Sequence, residues 1–219
     1  MSTIGRSPRA SERPRGVRQR VKRYAKEAYR EAILQAAERV FVRVGYHQAK
    51  MTDLAQEVGV STGTLYNYFE SKESVFSSLV ERARHDFLRV LEEAREQHES
   101  IERVRAIARA ALSYCEERGA LVAIFTQLGA VTEGDLRRVG GPDAEEGYLT
   151  YLRMLSDALR DAQRAGQVRS DVPVKLLSGA LAGSLNGAIF AWAHGDQQQG
   201  LAASADAILA LFVEGAGPR

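Results

Sequence analysis

The stretch Thr52–Lys72, TDLAQEVGVSTGTLYNYFESK, constrains this chain more than any other. Its residue types describe two short helices meeting at a tight turn. Ala55 stands where the helices cross and the side chain must be small, and Gly59 stands where the turn needs a residue tolerant of positive φ. Leu54, Val58, Val60, Leu65 and Tyr68 fall at spacings that bury one face of each helix. The expected unit is a helix-turn-helix, a rigid pair whose second helix is shaped to enter a major groove of duplex DNA.

Charge distribution points the same way. Residues 1–30 hold ten Lys/Arg against two acids, a net of +8, while residues 31–219 hold twenty against twenty-six, a net of −6. A basic front on a mildly acidic body suits a polyanionic partner at one end. Residues 1–22 contain Pro8, Pro14 and six arginines with few apolar side chains, so they are expected to be a disordered basic arm. Such an arm either touches DNA phosphates or the minor groove, or is a solvated tail.

The remainder reads as helix. The chain is 45% hydrophobic with five prolines, enough apolar material for a core and few breakers. A first helix is expected from about Tyr24 to Val44, with Tyr29, Ile33, Ala36, Ala37, Val40, Phe41 and Val44 in one stripe and Gly45 ending it. A second follows at about Thr52–Val58 with Thr52 as N-cap, and a third at about Thr62–Tyr68 capped by Ser61. Ser71 opens a long fourth helix to about Gln97, Ser100 a fifth to about Arg118, and Leu121 a sixth to about Ala130. Val131–Gly147, glycine-rich and charged, is expected to be a loop. Further helices are expected at about Tyr148–Ala165, Pro173–His194 and Leu201–Val213.

Thr52, Ala55, Gly59, Val60, Ser61, Gly63, Thr64, Tyr66, Phe69, Lys72 and Glu73, with Gly45-Tyr46 ahead of them, resemble the signature of the TetR/AcrR family of bacterial repressors. The resemblance covers roughly residues 24–85. It implies an all-α, nine-helix architecture, with a helix-turn-helix domain at 23–72 and a ligand-binding and dimerisation domain at 73–219. Carried over by position, Thr62, Gly63 and Tyr68 lie nearest the bases, and Thr52, Thr64, Tyr66 and Lys72 hold phosphates. Hydroxyls and helix N-termini at Thr52, Ser61 and Ser71 suit that work, and Lys50 supplies a further cation. From Gly59 to Ser71 there is no Arg, Lys or Gln, so recognition is expected to lean on methyl contacts, water and DNA shape.

Gly179, Gly183 and Gly187, continued by Ala191, place small residues on one helical stripe. With Leu209 and Phe212 of the last helix they resemble the family's homodimer interface, which sets two recognition helices about 34–36 Å apart for an inverted-repeat operator. Tyr114, Phe125, Leu128, Tyr151, Met154 and Asn186 are the candidate pocket residues. No charge in this segment must be buried, which favours a hydrophobic or amphipathic effector, acyl-CoA-like or drug-like. The expected function is a ligand-responsive repressor; the alternative is an architectural or activating DNA-binding protein with no small effector.

Other chemistries find little support. The single cysteine, Cys115, excludes an internal disulfide and fits a reducing cytoplasm. His47, His85, His98 and His194 have no zinc spacing, so no metal or cofactor is expected. Glu92-Glu93 and Glu116-Glu117 read as helix-surface charge, so no enzyme is expected. The start of the chain lacks the apolar run of a secretory signal. Leu176–Ala193 is uncharged, but its serines, asparagine and three glycines make it a poor membrane span.

Overall fold

The computed structural model describes residues 14–130, 133–195 and 200–216. Its first helix, α1, runs Pro14–Val44, ten residues earlier than the apolar stripe alone predicts. Proline in the first position gives up an N–H that has no intrahelical partner anyway. Once packing of the second half has nucleated the helix, each added residue costs little. The expectation of a disordered arm is therefore corrected for residues 14–22; its remainder lies outside the described residues. The packed half of α1 buries Ile33, Leu34, Ala36, Ala37, Val40 and Phe41, whereas Tyr29 and Val44 at the stripe's ends stay about half exposed.

α2 spans Met51–Val58 and α3 Thr62–Tyr66. Thr52 does not cap α2: Lys50 holds the extended N-cap conformation, and its N–H donates to the Asp53 carboxylate at 2.9 Å. Thr52 falls one residue inside the helix with its side chain exposed. Gly59 ends α2 at φ 80°, where its N–H and that of Val60 both donate to the Ala55 carbonyl at 3.0 Å. A residue with a Cβ is strained there. Ser61 and Ser71 cap as the sequence predicts, accepting from the N–H groups of Thr64 and Ser74.

The long α4 covers Lys72–Glu96, α5 Ser100–Glu117 and α6 Gly119–Gln127. The expected loop before residue 148 is helical instead. α7 runs Glu133–Arg164, broken where Gly141 takes φ 73°, ψ −168° and Pro142 starts the chain afresh. The glycine content there marks one kink between two helical segments rather than a loop. α8 spans Val174–His194 and α9 Ser204–Ala216. Among the described residues there are nine helices and no strand. By length and composition α8 resembles a membrane span, with mean hydropathy 1.4. Its Leu177, Leu181, Ala182 and Leu185 are buried in a helical core.

Two cores result, and α4 contributes to both. The first gathers α1, α2, α3 and the front of α4, including Val40, Phe41, Leu54, Ala55, Leu65, Phe69, Phe76 and Leu79. Leu121 and Ile124 of α6 complete it from the far side of the chain. The second joins the rear of α4 through Leu91 to α5, α7, α8 and α9. Because Ile124 is fully buried in the first core, Ile124→Ala is expected to cost about 2–5 kcal/mol of stability. A urea titration checks this; an unchanged midpoint would mean that α6 is dispensable to that core.

Candidate DNA-reading head and effector cavity

The helix-turn-helix is clamped at both ends by cations from neighbouring elements. Arg30 of α1 donates through Nη1 to the Tyr68 carbonyl at 2.9 Å, and its guanidinium lies 4.2 Å from the Phe69 ring centroid. One residue earlier, Tyr29 stacks on Tyr68 with centroids 5.7 Å apart and planes 16° off parallel. At the other end, Lys72 Nζ donates to the carbonyls of Tyr46 at 2.8 Å and His47 at 3.3 Å, and lies 4.6 Å from the Tyr46 ring centroid. Glu57 of α2 receives Arg39 and Arg43 of α1, each at 2.9 Å, and those hydrogen bonds hold its carboxyl below the usual range.

These contacts sort the expected DNA residues. Lys50, Thr52, Ser61, Gly63 and Tyr66 are exposed, Tyr66 by 52%. Thr62 is half-buried, as is Thr64, whose hydroxyl shares a 2.8 Å hydrogen bond with the Ser61 hydroxyl. Lys72 is a structural clamp in this conformation rather than a free phosphate ligand, because two backbone carbonyls already hold its ammonium. Tyr68 is half-buried against Tyr29 and helps to pack the head. The sequence placed Tyr29 only in the apolar stripe of α1 and gave no role to Arg30. A cation set beside an aromatic within an apolar stripe was the available signal.

A cavity of about 250 Å³ lies among α4, α5, α6, α7 and α8. Of the predicted lining residues, Tyr114, Phe125, Tyr151 and Asn186 are present, joined by Phe87, Leu112, Cys115, Leu185 and Ile189. Leu128 is not part of this wall, because it follows the end of α6 and packs on the first core. Met154 lies one turn of α7 beyond Tyr151 and packs on the second core. The Tyr114 hydroxyl donates to the Ala83 carbonyl at 2.8 Å, and Asn186 donates to the Tyr148 hydroxyl at 3.1 Å. Burial pushes the Tyr151 phenol up, and its hydroxyl has no hydrogen-bond partner.

The expectation that no charge in this segment must be buried does not hold, since Arg84 and Arg118 line the cavity with buried guanidinium nitrogens. Arg84 Nε stands 3.2 Å from the Asp143 carboxylate. Arg118, at the joint of α5 and α6, has Nε and Nη2 buried without a hydrogen-bond partner. Its nearest charge is Glu38 of α1 at 3.6 Å, which also faces Arg82 of α4 at 3.7 Å. Arg82 further hydrogen-bonds Glu31, whose burial opposes ionisation but is outweighed by the hydrogen bonds from Arg82 and Gln35 and the charges of Arg82 and Arg118 together, so the carboxyl sits below its usual range. A chain of charges thus runs from the cavity wall to the helix that carries the reading head. Arginines beside a helix break, facing an acid set among buried alanines of α1, were its sequence trace.

On the opposite surface, Gly179, Gly183, Gly187 and Ala191 form one exposed stripe of α8, with open space where a Cβ would stand on each glycine. Leu176 of α8 and Leu211 of α9 are also exposed, at 63% and 73%. Leu209, expected at a dimer interface, is instead fully buried in the second core, and Phe212 packs against that core. The face of α9 available to a partner is therefore that of Leu211.

Burial pushes the Cys115 thiol up to about 12, whereas an unfolded cysteine titrates near about 8.5. Between those values the folded chain binds more protons than the unfolded one. The associated stability is therefore full below about pH 8.5 and is lost as pH rises towards about 12. Cys115→Ala is expected to flatten this decline, read as urea midpoints at about pH 7 and about pH 10. Equal declines in both proteins would show that the folded thiol ionises freely.

Comparison with known proteins accords with this geometry. Residues 33–79 match the model of bacterial regulatory proteins of the tetR family, and residues 81–215 match that of the YsiA-like protein C-terminal region. The fatty acid metabolism regulator protein of Bacillus subtilis is 27% identical over 84% of this chain and 93% of its own length. An HTH-type transcriptional repressor of Mycobacterium tuberculosis is 30% identical over 83% of this chain and 91% of its own. Among solved structures, FadR from Bacillus subtilis in complex with stearoyl-CoA superposes with TM-score 0.69 at 26% identity, covering 84% of this chain and 98% of its own. The fatty acid degradation regulator FadR from Bacillus halodurans gives TM-score 0.73 at 24% identity, over 85% and 95% of the two chains. A helix-turn-helix clamped onto a helical body, and two family matches that together span most of the sequence, have one meaning: the chain belongs to the tetR family of bacterial transcription regulators, not to a family of enzymes.

Proposed function

We propose that this protein is a homodimeric repressor, held on an inverted-repeat operator by its α2–α3 heads and released by an anionic amphipathic molecule of the long-chain acyl-CoA class. The observation that carries the reading is Arg118. It belongs to the wall of an otherwise mostly apolar cavity and pairs across the molecule with Glu38 of α1. An acyl chain suits Phe87, Leu112, Leu185 and Ile189, while an anionic group suits the guanidinium groups of Arg84 and Arg118. The stearoyl-CoA bound to the Bacillus subtilis relative supports that class. Such a regulator works in the cytoplasm, where a lone cysteine stays reduced.

Dimerisation follows from the reading geometry. One five-residue recognition helix without a long base-reading side chain offers little specificity. Two heads spaced for successive major grooves, about 34–36 Å apart, multiply what one provides. The exposed stripe of Gly179, Gly183, Gly187 and Ala191, preceded on the same helix by exposed Leu176, would let two α8 helices approach closely. In the release step the effector anion competes with Glu38 for Arg118 and loosens α1 from the body. A ligand shifts this equilibrium only by its preference for the released geometry, typically about 1–3 kcal/mol.

Selection of bound duplexes from a random library by the purified full chain is expected to return an inverted repeat. Failure to return any motif would put the architectural reading first. Tyr66→Phe removes an exposed hydroxyl assigned to phosphate and is expected to weaken binding to selected and mixed-sequence duplexes alike, by roughly tenfold; unchanged affinity would remove that assignment. Stearoyl-CoA is expected to release the selected duplex from the parental chain. With Arg118→Gln, more stearoyl-CoA should be needed, by roughly tenfold or more. With Glu38→Gln, stearoyl-CoA should still bind, but its effect on DNA affinity should shrink. Identical release curves for all three proteins would exclude this charge route.

A further inference from the structure

The N-terminal part of α1 belongs to neither core and to none of the clamps that hold the reading head. The helix starts at Pro14, but the tetR family match starts at residue 33. Residues 17–28 are exposed throughout and touch neither core. Arg18, Arg20, Lys22 and Lys26 form no ion pair with any described residue; Arg23 pairs weakly with Glu27 at 3.7 Å across two exposed side chains.

Helical geometry orders these cations. Arg18, Lys22 and Lys26 recur every four residues, and Tyr29 falls eleven residues after Arg18. At about 100° per residue those spacings put all four on one side of the helix. That side is fixed in space, because Tyr29 stacks on Tyr68 and the adjacent Arg30 holds the Tyr68 carbonyl just past the end of α3. The cationic stripe therefore leaves the body on the flank of the reading head and continues about 16 Å beyond it. Val17, Val21 and Tyr24, each more than half exposed, occupy the other side of the helix.

Resting on the DNA-binding reading above, we propose that this extension is a rigid phosphate clamp. Arg18, Lys22 and Lys26 contact the backbone of duplex DNA outside the segment read by α3. The occupant is chosen by charge complementarity and by position, since the stripe is uncompensated and sits beside the recognition helix. The mode is also constrained. An α-helix with side chains is about 10–12 Å across and the minor groove is about 6 Å wide, so the helix rides over the phosphates instead of threading the groove. Contacts of this kind carry no sequence information and add affinity to every duplex.

The test is the salt dependence of binding to a mixed-sequence duplex, for the full chain and for the combined variant Arg18→Gln, Lys22→Gln and Lys26→Gln. Each phosphate contact contributes about 0.9 to the slope of log affinity against log salt, so the variant is expected to lose about 2.7. A charge-matched control, Arg153→Gln with Arg160→Gln and Arg164→Gln on the exposed surface of α7, should keep the parental slope. The swap Arg18→Lys, Lys22→Arg and Lys26→Arg should keep it as well. Helix content by circular dichroism guards against unfolding of the extension. A parental slope retained by the combined variant, or an equal loss in the α7 control, would overturn the clamp while leaving the helix-turn-helix reading intact. Absence of salt-dependent binding in the parental chain would overturn both.

Discussion

Glu38 of α1 faces two guanidinium groups at once, Arg82 of α4 at 3.7 Å and Arg118 of the α5–α6 joint at 3.6 Å. With a side chain only 14% exposed, this carboxylate is costly to hold and costly to leave unpaired. Removing one partner from a fully buried pair costs about 3–5 kcal/mol, and partial exposure lowers that figure here. The arrangement is weak evidence for stability, since an apolar contact of similar volume would hold the helices as well. Its distinguishing property is that it responds to charge. In the proposed release, an effector anion in the cavity would meet one of the two cations already engaged by Glu38, and no apolar contact would register that arrival.

That sensitivity matters because the rest of the head does not yield. Arg30 and Tyr29 fix the end of α3 to α1, Lys72 fixes the start of α4 to the turn after α1, and Glu57 fixes α2 to α1 through two arginines. Three helices and the front of α4 therefore behave as one body, with Leu54, Leu65 and Leu79 fully buried inside it. The body joins the remainder through α4 itself, through Leu121, Ile124 and Phe125 of α6, through Val139 and Ala144 of α7, and through the Glu38 cluster. α6 also carries Phe125 into the cavity wall. α4, α6 and α7 all line the cavity, so in the proposed release its occupancy bears on each of them, and a rigid head would convert that into a movement of α3 as a whole.

Much of this was legible in the residues. Gly59, Ser61 and Ser71 are dictated by local backbone needs, a positive φ and unpaired N–H groups, and local needs can be read locally. The apolar stripe of α1 was legible for the same reason. What failed was tertiary. Thr52 is a good capping residue, yet Asp53 satisfies the Lys50 N–H instead, because the N-cap lies at Lys50, two residues before the threonine. The glycines before residue 148 suggested a loop, whereas one glycine at positive φ is enough to kink a helix that otherwise continues. Leu209 has the spacing of an interface residue, but the rotation of α9 turns it inward and leaves Leu211 outside. Arg118 was invisible as a site residue because a long side chain reaches the cavity from a position chosen by the α5–α6 joint.

The poverty of α3 in long polar side chains finally explains why the surrounding scaffold is so heavily clamped. Thr62, Gly63 and Thr64 cannot span the distance to base edges with the bidentate contacts that give large discrimination, about 1–3 kcal/mol each. Short side chains contact DNA productively only when the backbone itself is brought close, and Gly63, with no neighbour but the Ser61 hydroxyl near its missing Cβ, permits that approach. Recognition of this kind depends on surface fit and tolerates little displacement. A regulator that reads DNA by fit needs a rigid head to bind and only a small shift of that head to let go. The first is supplied by Arg30, Lys72 and Glu57, and in the proposed release the second would come from the charge-sensitive contact of Glu38 with Arg118.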